Sequence, residues 1–570
     1  MRHLCCIVLF LCQKSFPQNF PANIYPKGYF RDPLAIPISL SGNFGELRAN
    51  HYHMGLDLRT GGKQNLPVYA AADGYISRIK IEPGGFGRAI YINHPNGFTT
   101  LYAHLNDFNP KLEAWVKQQQ YQLESWSVFL EPDPSLFPVK KGELLAYSGN
   151  TGGSQAPHLH FEIRSTKEDL NLNPLLFGMP LPDNTNPKFV RLAIYDRTKS
   201  VYEQAPRLIP VKWIPGKSYT SSPAVIQVSS PLISFGISGS DTHSGSTNGN
   251  GIFETELFVD ENPVIRFVMD SISYNDTRYL NAHIDYRTRT LGGPFIQHLS
   301  ELPGYVNSIY KHESGNGVID LSDEQVHTIK IVATDAYGNS STLHSTVQYK
   351  KPNIRLSALP ERIGKKFYPL MLDGYETESC EFYIGERCLY DSVFVNYSKA
   401  GSTGGAVSEL HRIGASTIPL HEPFLIRIKT DRSLTELQKS RTVMQWIGNS
   451  RKDVQKVEWQ NDWASARFRD FGSYQLIVDE ESPQIVPVGF TNGSNLSKAS
   501  RIVFTVRDNL EKFKNVKTEL DGQWLRFTND KGRTFIYRFD EKCLKGQHEL
   551  KITAEDEAGN IATAVYKFIR

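Results

Sequence analysis

Short apolar runs separated by glycine-rich turns dominate the sequence from about residue 51 to residue 165. The segments VYAAADGYISRIKI, GRAIYINHPNGFTTLYAHL and GELLAYSGNTG are examples. Alternating apolar positions bounded by turn residues predict short β-strands. The dipeptide Asn96-Gly97 between two apolar runs is typical of a β-hairpin. This part of the chain is therefore predicted to form a small antiparallel β-domain.

One segment within this region has helical periodicity instead. Asn109-Pro110 predicts a helix cap and first turn, and Leu112, Trp115 and Val116 follow at helical spacing. We therefore expect a helix near residues 109–125. Such a helix can form a wall or lid of a groove, or it can simply pack on the surface. The sequence favours neither interpretation.

From Pro187 onward the pattern is β-rich, and it contains an internal repeat. Seven of thirteen positions are identical between His327–Asn339 and His548–Asn560. Upstream of each copy, a Thr-Glu-Leu precedes VIRF (264–267) or WLRF (524–527), and the first copy carries an insertion of 39 residues between the two pieces. Alternation followed by Asp-x-x-Gly-Asn predicts the last strands of a β-sandwich with a turn.

These repeats resemble the immunoglobulin-like modules of bacterial exported proteins. We place one module at 187–350 and one at 482–570, with another β-rich unit at 351–481 between natural linkers. The predicted fold class is mainly β, with an N-terminal antiparallel β-domain at 16–183, including its extended lead-in. Two to three β-sandwich domains follow it.

The composition is that of a globular protein of several domains. The chain has 570 residues, of which 40% are hydrophobic and 22% charged, enough for three to five separate cores by domain size. The formal net charge is only +3 and there is no long basic run. A nucleic-acid partner is therefore not expected.

The first residues indicate export. Met1-Arg2-His3 is basic, Leu4–Cys12 is an unbroken apolar run, and polar residues follow. Nine apolar residues are too few to span a bilayer but suit a signal peptide, which we place at 1–15. Lipidation at Cys12 is disfavoured because Leu11 is bulky. No other stretch reaches transmembrane length, so the protein is expected in the periplasm, at the cell surface or outside the cell.

Three cysteines remain beyond the signal segment. Cys380 and Cys388 flank a short segment and are able to bridge a hairpin in an oxidising compartment, or to remain two buried free thiols. The cysteines show no metal-binding spacing.

The residues that can carry chemistry lie in four fragments of the first domain. These are His53-Met-Gly-Leu-Asp57, Tyr102-Ala-His104, Asn150-Thr-Gly-Gly and His158-Leu-His160-Phe-Glu162. In a strand, residues two apart share a face, so His158 and His160 project together while Leu159 and Phe161 face a core. His and Asp are zinc ligands, and a catalytic zinc site has three protein ligands. Each fragment alone is weak evidence, because most histidines are structural or exposed.

The four fragments in this order resemble the lysostaphin/LytM-type zinc endopeptidases, which cut peptide bonds in peptidoglycan. The resemblance covers about residues 40–165, and it implies a small antiparallel β fold with an open groove and one zinc ion per chain. It implies that His53, Asp57 and His160 bind the metal. It also implies that His104 and His158 share the roles of general base, proton donor and oxyanion stabiliser. All five positions are filled.

Two neighbouring residues have less defined roles. His51 has no counterpart in the pattern and is expected at the surface. Glu162 either orients a ligand or pairs on the surface. The 53 residues between His104 and His158 exceed what compact members need, so the bond specificity of relatives does not transfer.

Three functions fit these patterns. The first is a zinc-dependent peptidoglycan endopeptidase, with the C-terminal modules as spacers or as docking surfaces for cell wall or protein partners. The second is a non-catalytic wall-binding scaffold or activator of another hydrolase. The third is a secreted metallopeptidase that acts on other extracellular peptides. The complete set of site residues favours the first.

Overall fold

The structure is a computed structural model that describes residues 25–304, 307–352, 363–402 and 404–570. Strands account for 48% of residues and helices for 7%, which confirms the mainly β class. The predicted signal segment, 1–15, lies outside the described residues. Within the described ranges, no helix is long and apolar enough to cross a membrane.

The first domain is formed by short strands and one longer helix. Its strands are β1 (Leu40–Gly42), β2 (Leu47–Arg48), β3 (His51–Tyr52), β4 (Leu56–Arg59), β5 (Pro67–Tyr69), β6 (Gly74–Ile81), β7 (Arg88–Asn93), β8 (Phe98–Ala103), β9 (Leu105–Phe108), β10 (Val128–Leu130), β11 (Pro138–Val139), β12 (Leu144–Ser148), β13 (His158–Ser165) and β14 (Asn171–Leu172). The main sheet runs β1-β4-β13-β8-β7-β6-β10, with β11 beside β6 and β14 beside β13. A second sheet runs β5-β12-β9, and β2 pairs with β3. The predicted hairpin at Asn96-Gly97 is the β7–β8 connection.

The predicted helix is present as α1 (Pro110–Gln122), capped by the Asn109 side chain on the amide of Leu112. Leu112 and Val116 are buried in the domain core. A different side of α1 meets the last domain, where Lys117 forms an ion pair of 2.6 Å with Asp540. The helix is therefore packed between two domains, which favours the packing interpretation over a free lid.

The second domain is a two-layered sandwich. Its strands are β15 (Lys188–Asp196), β16 (Arg207–Trp213), β17 (Tyr219–Val228), β18 (Leu232–Ser240), β19 (Glu254–Val259), β20 (Asn262–Val268), β21 (Ser271–Ile272), β22 (Gln297–His298), β23 (Tyr310–His312), β24 (Ile319–Asp320), β25 (Val326–Thr334) and β26 (Ser340–Tyr349). β16 pairs with both β15 and β17 and so joins the layer β22-β18-β15 to the layer β17-β26-β25-β19-β20-β23, while β24 pairs with β18. Apolar residues from both layers form one core.

The inserted segment of the first repeat copy contains two short helices, α2 (Leu280–His283) and α3 (Tyr286–Thr290). The sequence pattern shows no helical periodicity here. One helical turn is too short to produce apolar periodicity, and these turns depend on packing against the sandwich. β21 within this segment also pairs with β14 and so ties the insertion to the first domain.

The third and fourth domains are also sandwiches of two sheets. The third has β27 (Gly364–Phe367), β28 (Asp373–Glu376), β29 (Cys380–Ile384), β30 (Val393–Ala400), β31 (Leu410–Ile413), β32 (Pro419–Lys429), α4 (Glu436–Ser440), β33 (Thr442–Ile447), β34 (Lys452–Lys456), β35 (Glu458–Gln460), β36 (Trp463–Asp470) and β37 (Gly472–Val478). The fourth has β38 (Gln484–Val488), β39 (Ser494–Asn495), β40 (Arg501–Arg507), β41 (Phe513–Leu520), β42 (Gln523–Trp524), β43 (Thr534–Arg538), β44 (Gln547–Asp556) and β45 (Ile561–Ile569). The sheet orders are β27-β30-β31-β37-β33-β34 with β28-β29-β32-β36-β35 in the third domain, and β38-β40-β43 with β39-β45-β44-β41-β42 in the fourth.

The internal repeat occupies the same place in two sandwiches. Its two copies form hairpin β25–β26 and hairpin β44–β45, each with the Asp-x-x-Gly-Asn segment at the turn. The amide of Asp335 donates to Asn339 O at 3.0 Å, and that of Asp556 donates to Asn560 O at 3.1 Å. The prediction that each repeat copy forms strands with a turn is therefore confirmed.

The two possible states of Cys380 and Cys388 are resolved in favour of free thiols. Both cysteines are buried and unbridged. Burial raises the pKa of both thiols, which keeps them in the unreactive protonated form.

Two buried histidines in the second domain are expected to make its folded state less stable at acidic pH. Burial lowers the pKa of His283 to about 3 and that of His298 to about 4. Both are neutral in the folded state at pH 5, whereas unfolded histidine binds a proton below about pH 6.5. The unfolded state therefore binds more protons, and stability falls as the pH drops below 6.5, by about 1.4 kcal/mol per pH unit for each group.

We expect urea unfolding of this domain, followed by hydrogen exchange of its peptides at pH 6.5, 5.5 and 4.5, to show this decline. The variant His283→Met should reduce the pH slope by about one proton. The exposed His51→Gln serves as control and should leave the slope unchanged. An equal slope in His283→Met and the parent would contradict the assignment.

Candidate metal and catalytic site

Adjacent strands of the main sheet bring distant residues together. β4 and β13 are antiparallel neighbours with Asp57 directly opposite His160. On β13, Leu159 and Phe161 are fully buried in the core, so His158 and His160 lie on the opposite face. β8, the neighbour of β13 on its other side, ends immediately before His104.

His53, Asp57 and His160 form a compact cluster. His53 Nε2 lies 3.0 Å from Asp57 Oδ1 and 3.0 Å from His160 Nδ1, and His160 Nδ1 lies 2.9 Å from Asp57 Oδ1. Their exposed fractions are 3%, 4% and 5%. Two imidazole nitrogens and one carboxylate oxygen are a donor set that zinc accepts, and ligands about 2.0–2.1 Å from a tetrahedral ion lie about 3.3 Å apart. The cluster can therefore hold a metal ion.

Hydrogen bonds behind the cluster fix which nitrogen faces inward. His53 Nδ1 donates to the carbonyl oxygen of Asn43 at 2.7 Å, and His160 Nε2 donates to Glu162 Oε1 at 2.9 Å. The opposite nitrogen of each neutral ring then carries a lone pair directed at the cluster. This outward hydrogen bonding is typical of metal-ligating histidines.

His104 and His158 lie beside the cluster. Their ring centroids are 4.7 Å apart, and the ring of His104 is 5.9 Å from that of His160. His104 Nδ1 donates to Thr151 O at 2.9 Å and His158 Nδ1 to Ala156 O at 2.8 Å, which leaves each Nε2 as an acceptor. His158 Nε2 is 3.3 Å from Asp57 Oδ1. The structure thus places all five predicted residues in one site.

The backbone at His104 is strained, with φ of 59°. This left-handed conformation is uncommon for residues other than glycine, although histidine and asparagine adopt it more readily than most. Such strain concentrates at functional sites, where the surrounding structure holds it. Here the amide of His104 is bound to Phe86 O at 3.0 Å.

The electrostatics favour a bound cation. Burial lowers the pKa of His53 to about 4, and burial with the neighbouring His160 and His158 lowers the pKa of His104 to about 3. Burial also acts against a charged His160, but hydrogen bonds to Asp57 and Glu162 outweigh it and raise the His160 pKa to about 9. Without a metal ion, a proton on His160 therefore balances the carboxylates, and a metal must displace that proton.

A buried polar network supports His160, and sequence reasoning identified only its first member, Glu162. Glu162 accepts hydrogen bonds from His160, from Arg164 Nε at 2.7 Å and from Tyr274 Oη at 2.8 Å. The charges of Arg164 and His160 outweigh burial and hold the Glu162 pKa at about 2. Glu162 therefore orients the His160 ring, and the surface-pair alternative is wrong because this carboxylate is fully buried. His51 is exposed, as predicted.

No local sequence pattern identifies the other residues that support the site. Arg48 Nη2 binds Asp57 Oδ2 at 2.6 Å, and Tyr274 comes from the insertion in the second domain. Gly55 permits β4 to approach β13, since a Cβ there would lie 2.4 Å from Phe161 O. Gly55, between His53 and Asp57, is the one local feature of the sequence that hints at this close approach.

The last domain also contacts the site. Lys531 Nζ donates to Gly152 O at 3.1 Å and to Ser154 O at 2.7 Å. The amide of Gly152 donates to Asp530 O at 3.2 Å. These bonds hold the residues that directly follow Thr151. The carbonyl oxygen of Thr151 accepts the hydrogen bond of His104 Nδ1.

Removing the charge of Glu162 should weaken metal binding. We expect Glu162→Gln to lower zinc affinity about 10–100-fold, because the His160 ring loses its charged acceptor. Tyr274→Phe deletes only one hydrogen bond to the same carboxylate and should have a smaller effect. Competition with a chromogenic chelator measures both affinities. Equal zinc affinity in Glu162→Gln and the parent would contradict this role.

Comparison with known proteins agrees with this geometry. Peptidase family M23 matches residues 51–121, and a Zu5-like domain matches residues 372–479. DD-carboxypeptidase/endopeptidase Mpg of Neisseria meningitidis serogroup B is 33% identical over 164 residues, which are 28% of this chain and 31% of that protein. Peptidoglycan DD-endopeptidase ShyB of Vibrio cholerae is 27% identical over 155 residues, covering 27% of this chain and 30% of that protein.

The catalytic domain of lysostaphin from Staphylococcus simulans is 25% identical over 27% of this chain and 93% of that chain, with a TM-score of 0.17. The matched region spans about a third of the length of the curated relatives. The predicted family is confirmed for the first domain: its residues 51–121, which include His53, Asp57 and His104, match peptidase family M23.

Proposed function

We propose that this protein is a zinc-dependent endopeptidase that hydrolyses peptide bonds in bacterial peptidoglycan, in cross-links or stem peptides. The observation that carries the proposal is the convergence of the buried residues His53, Asp57 and His160 with the Nε2 acceptors of His104 and the half-buried His158 in one site. The substrate class is supported by the names of the relatives, a DD-carboxypeptidase/endopeptidase and a peptidoglycan DD-endopeptidase.

In this proposal His53 Nε2, Asp57 Oδ1 and His160 Nδ1 would hold one zinc ion per chain. Zinc bound there would supply Lewis-acid activation of water and of the scissile carbonyl. Glu162 and Asn43 keep the two ligand rings in the neutral tautomer that binding requires, because each accepts the proton of the outward nitrogen.

The two remaining histidines handle protons. With Nδ1 donating outward, His104 and His158 present Nε2 to the site, so one can accept the proton of the attacking water. The same pair returns a proton to the leaving amine. His104 is neutral at physiological pH because of its lowered pKa, so its Nε2 carries no proton. Attack by water requires no covalent intermediate on the chain.

We infer that the protein acts after export, in the periplasm or at the cell surface, where peptidoglycan lies. The C-terminal domains then serve as spacers or bind cell wall or protein partners. The contact of Lys531 with Gly152 and Ser154 supports a direct role of the last domain in shaping the groove.

The test is digestion of purified peptidoglycan by the zinc-loaded full chain, with mass spectrometry of the released muropeptides. We expect peptide-bond cleavage that stops with a chelator, returns with zinc and is absent in His160→Ala. Binding to peptidoglycan without any product would instead support a scaffold. Cleavage of other peptides with intact peptidoglycan would support a secreted peptidase of different substrate.

A further inference from the structure

Two groups of aspartates lie at equivalent places in the second and fourth domains. In each group, one carboxylate oxygen from every aspartate lies within 4.8 Å of the others. Each group takes one residue from the segment that enters the sandwich, one from the end of a strand in the first sheet (β18 or β40) and one from the repeat turn. The groups are Asp183, Asp241 and Asp335, and Asp479, Asp508 and Asp556.

The repeat asparagine builds both groups in the same way. Asn339 Nδ2 donates to Asp335 Oδ2 at 2.7 Å and to the carbonyl of Asp183 at 3.2 Å. Asn560 Nδ2 donates to Asp556 Oδ2 at 2.8 Å and to the carbonyl of Asp479 at 2.9 Å. The Asp-x-x-Gly-Asn motif thus brings the entering segment, with its own aspartate, against the turn. This recurrence explains a motif that the peptidase site does not use.

Several buried oxygens in these groups have no hydrogen-bond partner. Asp241 and Asp479 are each 3% exposed, and Asp241 Oδ1 and Asp479 Oδ2 are unbonded. Asn250, which is 5% exposed, faces Asp241 across an antiparallel bridge, and both polar atoms of its side chain are also unbonded. Residues opposite each other in such a bridge project to the same side, so the Asn250 side chain lies beside that of Asp241.

The negative charge of these aspartates is also not balanced by an ion pair with a lysine or arginine in the part of the chain that the structure describes. Among the described residues, no lysine or arginine forms an ion pair with any of the six aspartates, and His243 alone approaches one, at 3.0 Å from Asp183 Oδ2. Burial, with repulsion from Asp335 and Asp183, raises the pKa of Asp241 to about 7. Carboxylates gathered in a buried place are costly unless a cation joins them. All three aspartates are buried in the second-domain group, and two of the three, Asp479 and Asp556, are buried in the fourth-domain group.

We propose that each of these two aspartate groups binds a calcium ion. Calcium accepts six to eight oxygen ligands, chiefly carboxylate, carbonyl and amide oxygens, and the three members of each group offer carboxylate oxygens with no imidazole or thiolate. The His-Asp-His cluster of the first domain has the opposite, nitrogen-rich character. Asp183 enters the second domain from the first, and Asp479 enters the fourth from the third, so bound calcium would fix two junctions between domains. This proposal does not depend on the peptidase activity.

Calorimetric titration tests the stoichiometry. The full chain is loaded with zinc, freed of other cations and titrated with CaCl₂. We expect two calcium ions per chain, one in Asp241→Asn, one in Asp508→Asn and none in the double variant. Asp320→Asn with Asp323→Asn removes two exposed aspartates as control and should keep both ions. Absence of binding at millimolar calcium, or two ions in the Asp241→Asn/Asp508→Asn variant, would overturn the proposal.

Thermal unfolding gives a second test in which the sign of the change decides. Calcium at a hundredfold excess over its Kd should raise the unfolding midpoint of the parent by about 5 °C or more. Without calcium, Asp241→Asn relieves repulsion and should be at least as stable as the parent. With calcium it should be less stable. If Asp241→Asn is destabilised equally with and without calcium, the aspartates are only structural and the proposal fails.

Terbium luminescence locates the first ion. Tyr337 lies beside this group, because its amide donates to Asp335 Oδ1 at 2.8 Å and its ring centroid is 6.2 Å from that of His243, which contacts Asp183. Terbium(III) bound there should be sensitised by Tyr337 and displaced by calcium. Tyr337→Phe should lose this emission and still bind two calcium ions in the calorimeter. Emission that persists in Asp241→Asn would show that terbium binds elsewhere, against the proposal.

Discussion

Asp57→Ala is expected to leave the chain without zinc and to lower peptidoglycan cleavage by roughly a thousandfold or more, since one of three ligands is lost. Asp57 Oδ1 is the shared point of the cluster, within 3.0 Å of His53 Nε2 and 2.9 Å of His160 Nδ1. It is also the only carboxylate among the three ligands. Its removal also deletes the 2.6 Å ion pair with Arg48, which keeps only the longer pair with Glu46 at 3.6 Å.

Zinc content after dialysis, measured by elemental mass spectrometry, and the rate of muropeptide release are the two readouts. His51→Ala is the matched control, because His51 is exposed and lies two residues from His53. It should retain one zinc per chain and full activity. Asp57→Asn keeps the side-chain volume and separates loss of the ligand charge from loss of packing. One zinc per chain in Asp57→Ala would contradict the ligand assignment.

Much of the site could be predicted because the spacing of residues along a strand determines which face of the sheet their side chains occupy. The i, i+2 spacing of His158 and His160 fixes them to one face of β13, and the alternating Leu159 and Phe161 fix that face relative to the core. The order of the four fragments then identified the family. The helix was predicted within a few residues of its observed limits because Asn109-Pro110 is a strong start signal.

The rest depends on contacts between residues far apart in the sequence. Tyr274 reaches Glu162 from 112 positions away, and Lys531 reaches Gly152 from 379 positions away. Neither residue belongs to a motif, so no local pattern announces its role. The aspartate groups show the same limit, because the repeat marks Asp335 and Asp556 but not the strand-end aspartates that complete each group.

Substitution of His104 tests whether metal binding and proton transfer depend on different residues. We expect His104→Ala to retain zinc and to lower kcat about 10²–10⁴-fold, the range for loss of a general acid–base group. His104 supplies no atom to the His-Asp-His cluster, yet its ring lies 4.7 Å from that of His158 and 5.9 Å from that of His160. Metal binding and catalysis should therefore separate in this variant.

The left-handed backbone at position 104 calls for a second substitution. Asparagine adopts positive φ more readily than alanine, so His104→Asn removes the imidazole with less backbone strain. If the imidazole carries the chemistry, both variants lose the same rate, whatever their stability. His158→Ala should lose a similar factor, and the double variant should lose less than the product of the two, because the pair acts as a unit. A full rate in His104→Asn would show that backbone geometry, and not proton transfer, is what His104 provides.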